Sequence, residues 1–283
     1  MFNTNKGSYG RLAAYVFLIV LGFILIYPLI WLVISSFRAT NAEIFGTASL
    51  IPHSFTLEGY RLGWQGTGQF GFGTFFINTF QLVIPTVVFT VISSVIVAYG
   101  FARFNFPFKR ILFALMISTL MLPNAVTIIP RFILFRELNW LDSYLPFIVP
   151  AAMANHPFFV FMLIQFFRGL PTELDESATI DGCNSFQTLI YVLLPLCKSA
   201  LFAVGLFQFI WRWNDFLAPL IYIGSVRNFT LALGLRMSID AGAAIQWNQV
   251  IAMAVVTMIP PMLLFFFAQR HFIDGIATTG LKG

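Results

Sequence analysis

The sequence predicts an all-α integral membrane protein with six transmembrane helices. Composition is the first reason, because hydrophobic residues make up 59% of the 283 residues and charged residues only 10%. A chain this apolar does not form a water-soluble domain by itself. The second reason is a series of uncharged runs long enough to cross a hydrocarbon core, which needs roughly 20 apolar residues. The predicted spans are 12–37, 75–101, 111–130, 144–167, 199–224 and 249–269.

The first predicted span lies between Arg11 and Arg38. It is longer than the apolar core of a secretory signal peptide and lacks a small-residue cleavage pattern, so we expect a retained helix. A glycine-rich segment precedes the second span and predicts an external loop, because closely spaced glycines disfavour a helix. The second helix is therefore expected to begin near Thr74. The glycines of this segment are Gly63, Gly66, Gly68, Gly71 and Gly73.

Polar residues and proline interrupt the later spans. Asn155, His156 and Pro157 lie near the middle of the fourth span, where proline frees a backbone carbonyl. They fit a buried helix kink and the wall of a polar path about equally well. Arg212 and Asp215 lie three residues apart in the fifth span. That spacing predicts either an intramembrane ion pair or charges that face a cavity.

The orientation follows from the basic residues of the loops, since short cytoplasmic loops are enriched in Lys and Arg. With the amino terminus inside, nine basic residues fall inside and six outside, and the short loop 103–110 contributes most. We predict a multi-pass protein of the cell (inner) membrane with both termini cytoplasmic. The net charge of +5 is scattered among hydrophobic spans and does not indicate nucleic-acid binding. The inside residues are Lys6, Arg11, Arg103, Lys109, Arg110, Arg168, Lys198, Arg270 and Lys282, and the outside residues are Arg38, Arg61, Arg131, Arg136, Arg227 and Arg236.

Residues 171–196 combine acidic side chains with helix-capping signals inside a hydrophobic chain. Pro171 can open a helix, and acidic residues at 173, 175 and 176 suit its first turns. Gly182 predicts a left-handed stop. Asn184 with Gln187 three residues later predicts the cap of a second helix that leads toward the membrane. The segment is therefore predicted to be a short helix, a turn and a second helix.

The short helix has two opposite stripes at 100° per residue. One stripe can face a partner while the other packs on the protein, although a solvated loop between spans would also account for the charges. The first stripe holds Glu173, Glu176 and Ile180, and the second holds Leu174, Ala178 and Asp181.

Cys183 and Cys197 fall in the same predicted cytoplasmic segment, so we expect reduced thiols and neither a disulfide nor a metal site.

This segment resembles the EAA signature of ABC importer permeases. The matching residues are Glu176-x-Ala178, Gly182 and Val192-x-Leu194-Pro195. Two positions depart from the pattern that the family usually has: Ser177 replaces the first alanine, and Arg212 lies beside the Trp-Asn-Asp element. From about Asn78 onward the chain is similar to the carbohydrate-uptake branch, which includes the second membrane subunit of the maltose transporter. The supporting elements are Ala98-Tyr-Gly-Phe-Ala-Arg103, Met121-Leu-Pro-Asn124, Gln165-Phe-Phe167, Trp213-Asn-Asp-Phe216, Pro219-Leu-Ile221, and the tail from Gln269-Arg-His-Phe to Gly280-Leu-Lys-Gly283.

The resemblance implies a type I ABC importer permease fold: a single transmembrane domain over 1–283, with a core about 74–270 and a coupling segment 171–196. Its implied partners are a homologous second permease, two ATP-binding subunits and an extracytoplasmic solute-binding protein that delivers a carbohydrate. ATP and Mg are expected on the ATPase subunits, and no cofactor on this chain, which has no Gly-x-x-x-x-Gly-Lys-Ser/Thr loop. The coupling residues implied are Glu173, Glu176, Ala178, Ile180, Asp181 and Gly182.

The candidate substrate path is Asn155, His156, Trp213, Asn214 and Asp215. Trp211 and Trp213 can stack on sugar rings, but tryptophan also anchors helices at the membrane interface. The tail 275–283 resembles the family's extension toward the ATPase, and a frayed end is the alternative.

Other functions remain in view. A permease for another small solute, such as a glycerol phosphodiester or polyamine, is the nearest alternative. An ion-driven secondary transporter would need midplane carboxylates and usually an internal repeat, and only Asp215 qualifies. An intramembrane enzyme would need a nucleophile and base or a metal set, and His156 has no partner visible in the sequence.

Overall fold

The computed structural model describes residues 8–46, 52, 54–66, 69–240 and 245–279, and all regular structure within these ranges is helical. The chain forms two compact units, Met1–Gly73 with Leu235–Met258, and Thr74–Gly234 with Ile259–Gly283. In chain order the helices are α1 Ser8–Ser35, α2 Asn41–Gly46, α3 Glu58–Gln65, α4 Phe72–Arg103, α5 Lys109–Leu120, α6 Asn124–Glu137, α7 Leu145–Ala152, α8 Pro157–Arg168, α9 Glu173–Ile180, α10 Ser185–Gln187, a π-helical segment Thr188–Leu193, α11 Leu194–Leu196, α12 Lys198–Trp213, α13 Leu217–Tyr222, a 3-10 turn Val226–Asn228, α14 Leu231–Asp240 and α15 Trp247–Thr279.

Among the described residues, four helical stretches are long and apolar enough to cross a membrane, and counting each of two bent pairs as one span gives six candidates. The four are Gly10–Ser35, Phe72–Arg103, Leu145–Arg168 and Trp247–Gln269. Lys109–Leu120 meets Ala125–Glu137 at 105°, and Ser185–Leu196 meets Lys198–Trp213 at 82°. The predicted fold class is confirmed, and the predicted fourth span is interrupted where expected, between α7 and α8.

The third and fifth predicted spans differ from straight helices. The run 111–130 crosses the break between α5 and α6, where Pro123 cannot donate a helical hydrogen bond. The run 199–224 divides after Trp213. There the Asn214 side chain donates to the Ile210 carbonyl at 2.8 Å, and the Asp215 carboxylate accepts from the Ala218 amide at 3.2 Å. These two contacts end one helix and start the next.

The glycine-rich segment is not wholly a loop, because α3 covers residues 58–65. The two glycines of α3, Gly59 and Gly63, allow this helix to pack closely against the start of α15. A Cβ at Gly59 would lie 2.7 Å from the Asn248 carbonyl oxygen, and one at Gly63 would lie 2.9 Å from Met253 Cγ. The i, i+4 spacing of these glycines allows the two helices to approach closely. Helix α4 begins at Phe72, two residues before the predicted start.

The same unit is held by buried polar contacts after α1. Arg38 is 1% exposed, and its guanidinium donates to the carbonyl oxygens of Glu43 and Ile44 at 2.9 and 3.1 Å. The Asn41 amide donates to the Ile245 carbonyl at 2.6 Å. These bonds satisfy backbone groups that would otherwise lie unpaired in the interior.

The core of the other unit joins α4, α8, the π-helical segment and α12. It is a close-packed apolar interior, which transmits displacement rather than absorbing it. The last four residues of the predicted tail 275–283 fall outside the described residues, which end at Thr279, and side chains beyond Gln269 are not described. The core residues are Val95, Ala98, Tyr99, Phe159, Val160, Leu163, Ile164, Phe167, Leu189, Leu193, Cys197, Ala200 and Val204.

Candidate functional site

The segment 171–196 has the predicted helix, turn and helix. Helix α9 follows Thr172, and Gly182 has a φ of 85°, the left-handed conformation expected of a stop. Asn184 and Gln187 form a capping box in which each side chain accepts a backbone N–H at 2.9 Å. The local signals in the sequence therefore predict the order of helix, turn and helix in this segment.

Helix α9 presents one side outward and packs the other on the protein. Ala178 is 4% exposed, whereas Ile180 is 86% exposed. Glu173 and Glu176 are also exposed. All three residues of the first predicted stripe are exposed. In the second stripe Ala178 is buried, but Asp181 lies exposed at the end of the helix. Asp181 is the residue that follows the last turn of α9, so the helical repeat no longer fixes its direction.

Asp175 turns inward and pairs with the last residue of α4. Its Oδ2 lies 3.0 Å from Arg103 Nε, with side-chain exposures of 24% and 9%. Arg103 also donates from Nη2 to the Leu170 carbonyl at 3.1 Å. Sequence reasoning missed this pair. The sequence offers two hints of this pair. Arg103 is a basic residue at the end of an apolar run, and Asp175 is an acidic residue that neither predicted stripe of α9 includes.

A second contact joins α4 to the exit of the segment. The Tyr99 hydroxyl donates to the Ser185 carbonyl at 3.1 Å, and Thr188 and Leu189 are buried just beyond. Phe186 and Tyr191 point outward, with 65% and 72% exposure. The segment thus combines exposed apolar and acidic side chains with a firmly held backbone.

The candidate substrate path falls on two helix breaks that lie side by side. His156 Nε2 is 3.2 Å from Gln208 Nε2, which links the α7–α8 break to α12. Arg212 Nη1 donates to Asp215 Oδ2 at 2.6 Å, and the guanidinium carbon lies 5.3 Å from the centre of the Phe147 ring. The predicted ion pair is present. It ties α12 to the start of α13 and packs on α7.

The two tryptophans of this region face different surroundings. Trp213 is 4% exposed and packs against the rings of Phe76, Phe80 and Phe209, at centroid distances of 6.1, 5.1 and 5.3 Å. It occupies a packing position. Trp211 is 49% exposed and leans on the rings of Phe158 and Phe159.

The asparagines predicted to line the path are both exposed. Asn155 lies in the break between α7 and α8, and Asn214 follows the end of α12. The two amides and Trp211 are thus exposed at or beside these breaks, whereas His156 and Asp215 are half-buried.

Comparison with known proteins identifies the architecture. The model of the family described as binding-protein-dependent transport system inner membrane component matches residues 91–278. The chain belongs to this family. One relative is the arabinooligosaccharides transport system permease protein AraQ of Halalkalibacterium halodurans, 32% identical over 93% of this chain and 93% of that protein. Another is the sn-glycerol-3-phosphate transport system permease protein UgpE of Pectobacterium atrosepticum, 34% identical over 83% of this chain and 85% of that protein.

A solved structure shares the fold of this binding-protein-dependent permease. It is a chain of a bacterial ABC transporter involved in the import of the acidic polysaccharide alginate. The TM-score is 0.84 with 21% identity, over 96% of this chain and 99% of the other. The family and the relatives show that the protein is a membrane-spanning permease subunit of an ABC importer, and its family is one of transporters.

The described part of the permease contains no group of three His, Cys, Asp or Glu side chains placed to hold a metal ion. Cys183 is half-buried and Cys197 is buried, and both are free thiols.

Proposed function

We propose that this permease moves a sugar or oligosaccharide into the cell, and that a cytosolic ATPase drives it by docking on α9. The observation that carries the proposal is the two-sided character of α9. Its inner side is fixed by Ala178 and Asp175, and its outer side offers Glu173, Glu176 and Ile180. A held helix with an exposed acidic and apolar face suits insertion into a cleft on a partner.

Glu176 is the proposed charged anchor. It lies in the middle of the exposed side, where a basic or donor group of the ATPase can reach its carboxylate. A charge-assisted hydrogen bond of this kind contributes about 1.5–3 kcal/mol. The exposed side chain of Ile180, at the end of the same stripe, adds apolar surface that becomes buried on docking.

The proposed assembly contains a second permease, two ATP-binding subunits that carry ATP and Mg, and an extracytoplasmic solute-binding protein. Both termini are proposed to be cytoplasmic. The contact between Arg103 and Asp175 supports this orientation, because it brings the basic loop 103–110 and α9 to the same end of α4. Short basic loops favour the cytoplasmic side.

The proposed cargo is polyhydroxylated. This class is supported by two relatives, a permease for arabinooligosaccharides and a permease for sn-glycerol-3-phosphate. Because of the second relative, a phosphorylated glycerol is the alternative cargo. The exposed amides of Asn155 and Asn214 and the indole of Trp211 suit hydroxyl and ring contacts. A ligand screen of the cognate binding protein separates the sugar from the glycerol phosphate.

The docking role is tested by Glu176→Lys in the purified transporter. We expect ATPase affinity to fall about 10- to 100-fold, since a favourable charge contact is replaced by an unfavourable one. ATPase retained on the tagged permease and ATP hydrolysis stimulated by the loaded binding protein are measured together.

The matched control for this test is Glu137→Lys, which reverses an exposed carboxylate, 67% exposed, at the end of α6. It should leave ATPase binding unchanged. Normal ATPase retention in Glu176→Lys would refute the docking role of α9.

A further inference from the structure

We propose that the last turn of α4 carries the movement of α9 into the membrane helices, through Arg103 and Tyr99. This inference rests on the proposed docking of the ATPase on α9. It assigns a positioning role to two side chains outside the docking segment. We call the two contacts, Arg103 with Asp175 and Leu170, and Tyr99 with Ser185, the α4 clamp.

The Arg103 contact holds the entry to α9. One guanidinium reaches both the Leu170 carbonyl, at 3.1 Å, and the Asp175 carboxylate, at 3.0 Å. Leu170 follows the end of α8 and Asp175 lies in the first turn of α9, so a single side chain spans the junction. The Arg103 side chain is only 9% exposed. Water therefore screens this pair far less than a surface pair.

The Tyr99 contact holds the exit. Its hydroxyl donates to the Ser185 carbonyl at 3.1 Å, directly after the cap at Asn184. The Tyr99 ring is fixed by edge-on packing against Phe104 and Phe167, at 5.2 and 6.2 Å. Tyr99 and Arg103 are four residues apart and share one face of α4. The two contacts together hold α9 at both ends from the same helix face.

The three helices that leave this region differ in continuity. Helix α4 is one continuous helix of 32 residues, about 48 Å at 1.5 Å per residue, in which Pro85 removes a single helical hydrogen bond. Followed backwards from α9, helix α8 stops at the break before Pro157. Followed forwards, the chain from α9 to α12 passes the π-helical segment and an 82° bend. A displacement of α9 is therefore transmitted farthest along α4, whereas each chain-connected route reaches a gap or a sharp bend between helices.

The experiment uses the complete transporter with its ATPase bound, in a background of Cys183→Ser and Cys197→Ala. Spin labels are placed at Ile77→Cys, toward the other end of α4, and Met153→Cys, at the α7–α8 break; both native side chains are exposed. The distance between the labels is measured by pulsed electron resonance without nucleotide and after trapping with MgATP and vanadate. The parent transporter should show a shift on trapping.

Arg103→Gln is the decisive variant. We expect it to retain ATPase and trapped nucleotide while losing the shift. The reversed pair Arg103→Asp with Asp175→Arg should restore part of the shift, because it rebuilds the contact between the two charges but not the donation to the Leu170 carbonyl. The matched control is Arg110→Gln, which removes a charge from an exposed position in the first turn of α5 and should keep the full shift. A full shift in Arg103→Gln would overturn the inference.

A second, milder variant tests the inference if the first one fails to assemble. If Arg103→Gln does not assemble, Tyr99→Phe removes one hydroxyl and keeps the packed ring. A reduced shift in assembled Tyr99→Phe supports transmission, whereas a full shift assigns the clamp to assembly alone and overturns the inference. Failure of the docking proposal is recognised separately, because Glu176→Lys would then retain ATPase whatever the labels report.

Discussion

Gly182 carries the turn between α9 and the cap at Asn184 with a φ of 85°. A Cβ built at this glycine would meet nothing within 4 Å. Any effect of a small side chain here therefore comes from backbone conformation and not from crowding. An L-residue in the left-handed region costs roughly 1–2 kcal/mol, and asparagine tolerates it better than alanine.

We therefore predict that Gly182→Ala destabilises the turn by about 1–2 kcal/mol and that Gly182→Asn destabilises it less. Coupled ATP hydrolysis and hydrogen exchange of the amides in 173–185 are the measurements, and alanine should affect both more than asparagine. Equal behaviour of the two variants would contradict a conformational role for this glycine.

Asp142 organises the loop between α13 and α14. Its carboxylate accepts hydrogen bonds from the amides of Gly224 and Ser225, at 3.1 and 2.8 Å, and from the Ser225 hydroxyl. The Asn228 side chain donates to the Asp142 carbonyl at 2.8 Å. Burial alone would raise the pKa of Asp142, but the bonds from Ser225, Gly224 and Asn228 outweigh it and lower that pKa. The ionised carboxylate therefore stabilises the loop.

The lowered pKa gives a signed pH dependence. The stabilisation is complete above the unfolded pKa of about 4 and is lost as the pH falls through the lower folded value. Amide exchange at Gly224 and Ser225, corrected for its intrinsic rate, should accelerate over that acid range. Asp142→Ala should lose the protection already at pH 7.

The control for this loop is Glu137→Ala, which removes an exposed carboxylate from α6. It should leave the exchange at Gly224 and Ser225 unchanged. Protection of both amides that survives in Asp142→Ala would show that other contacts hold the loop.

The topology of the whole molecule is tested by its two native thiols. Cys183 is half-buried beside α9, and Cys197 is completely buried. With α9 on the cytoplasmic side, a membrane-impermeant maleimide should label neither thiol in intact cells. It should label Cys183 in inverted vesicles and Cys197 only after denaturation. Glu137→Cys, on the predicted outer face, is the positive control, and efficient outside labelling of Cys183 would invert the topology.

The parts that the sequence predicts well depend on local rules. Span length follows from runs of apolar residues, and the turn at Gly182 and the box at Asn184 follow from side chains within a few positions. Sequence reasoning missed the pairing of Arg103 with Asp175, because those residues meet only after α4, α8 and α9 have packed. The sequence also does not predict that residues 58–65 form helix α3. Its glycines are needed because α3 packs closely on Asn248 and Met253, which are distant in the sequence.

The choice between Trp211 and Trp213 shows the same limit at the candidate path. Two residues apart on a helix, they face nearly opposite directions, so the sequence predicts that they differ. It does not say which one faces Phe76 and Phe80 and which one stays exposed. That assignment depends on where α4 packs against α12.

The α4 clamp also bears on biosynthesis. Ribosomes add roughly 5–20 residues per second, so Asp175 is synthesised about 4–14 s after Arg103. Helix α4 precedes α9 in the chain, so Tyr99 and Arg103 are already synthesised when the acidic segment leaves the ribosome. The segment can close onto Tyr99 and Arg103 before α15 is synthesised, so that its acidic outer side is oriented while the end of the permease is still being translated.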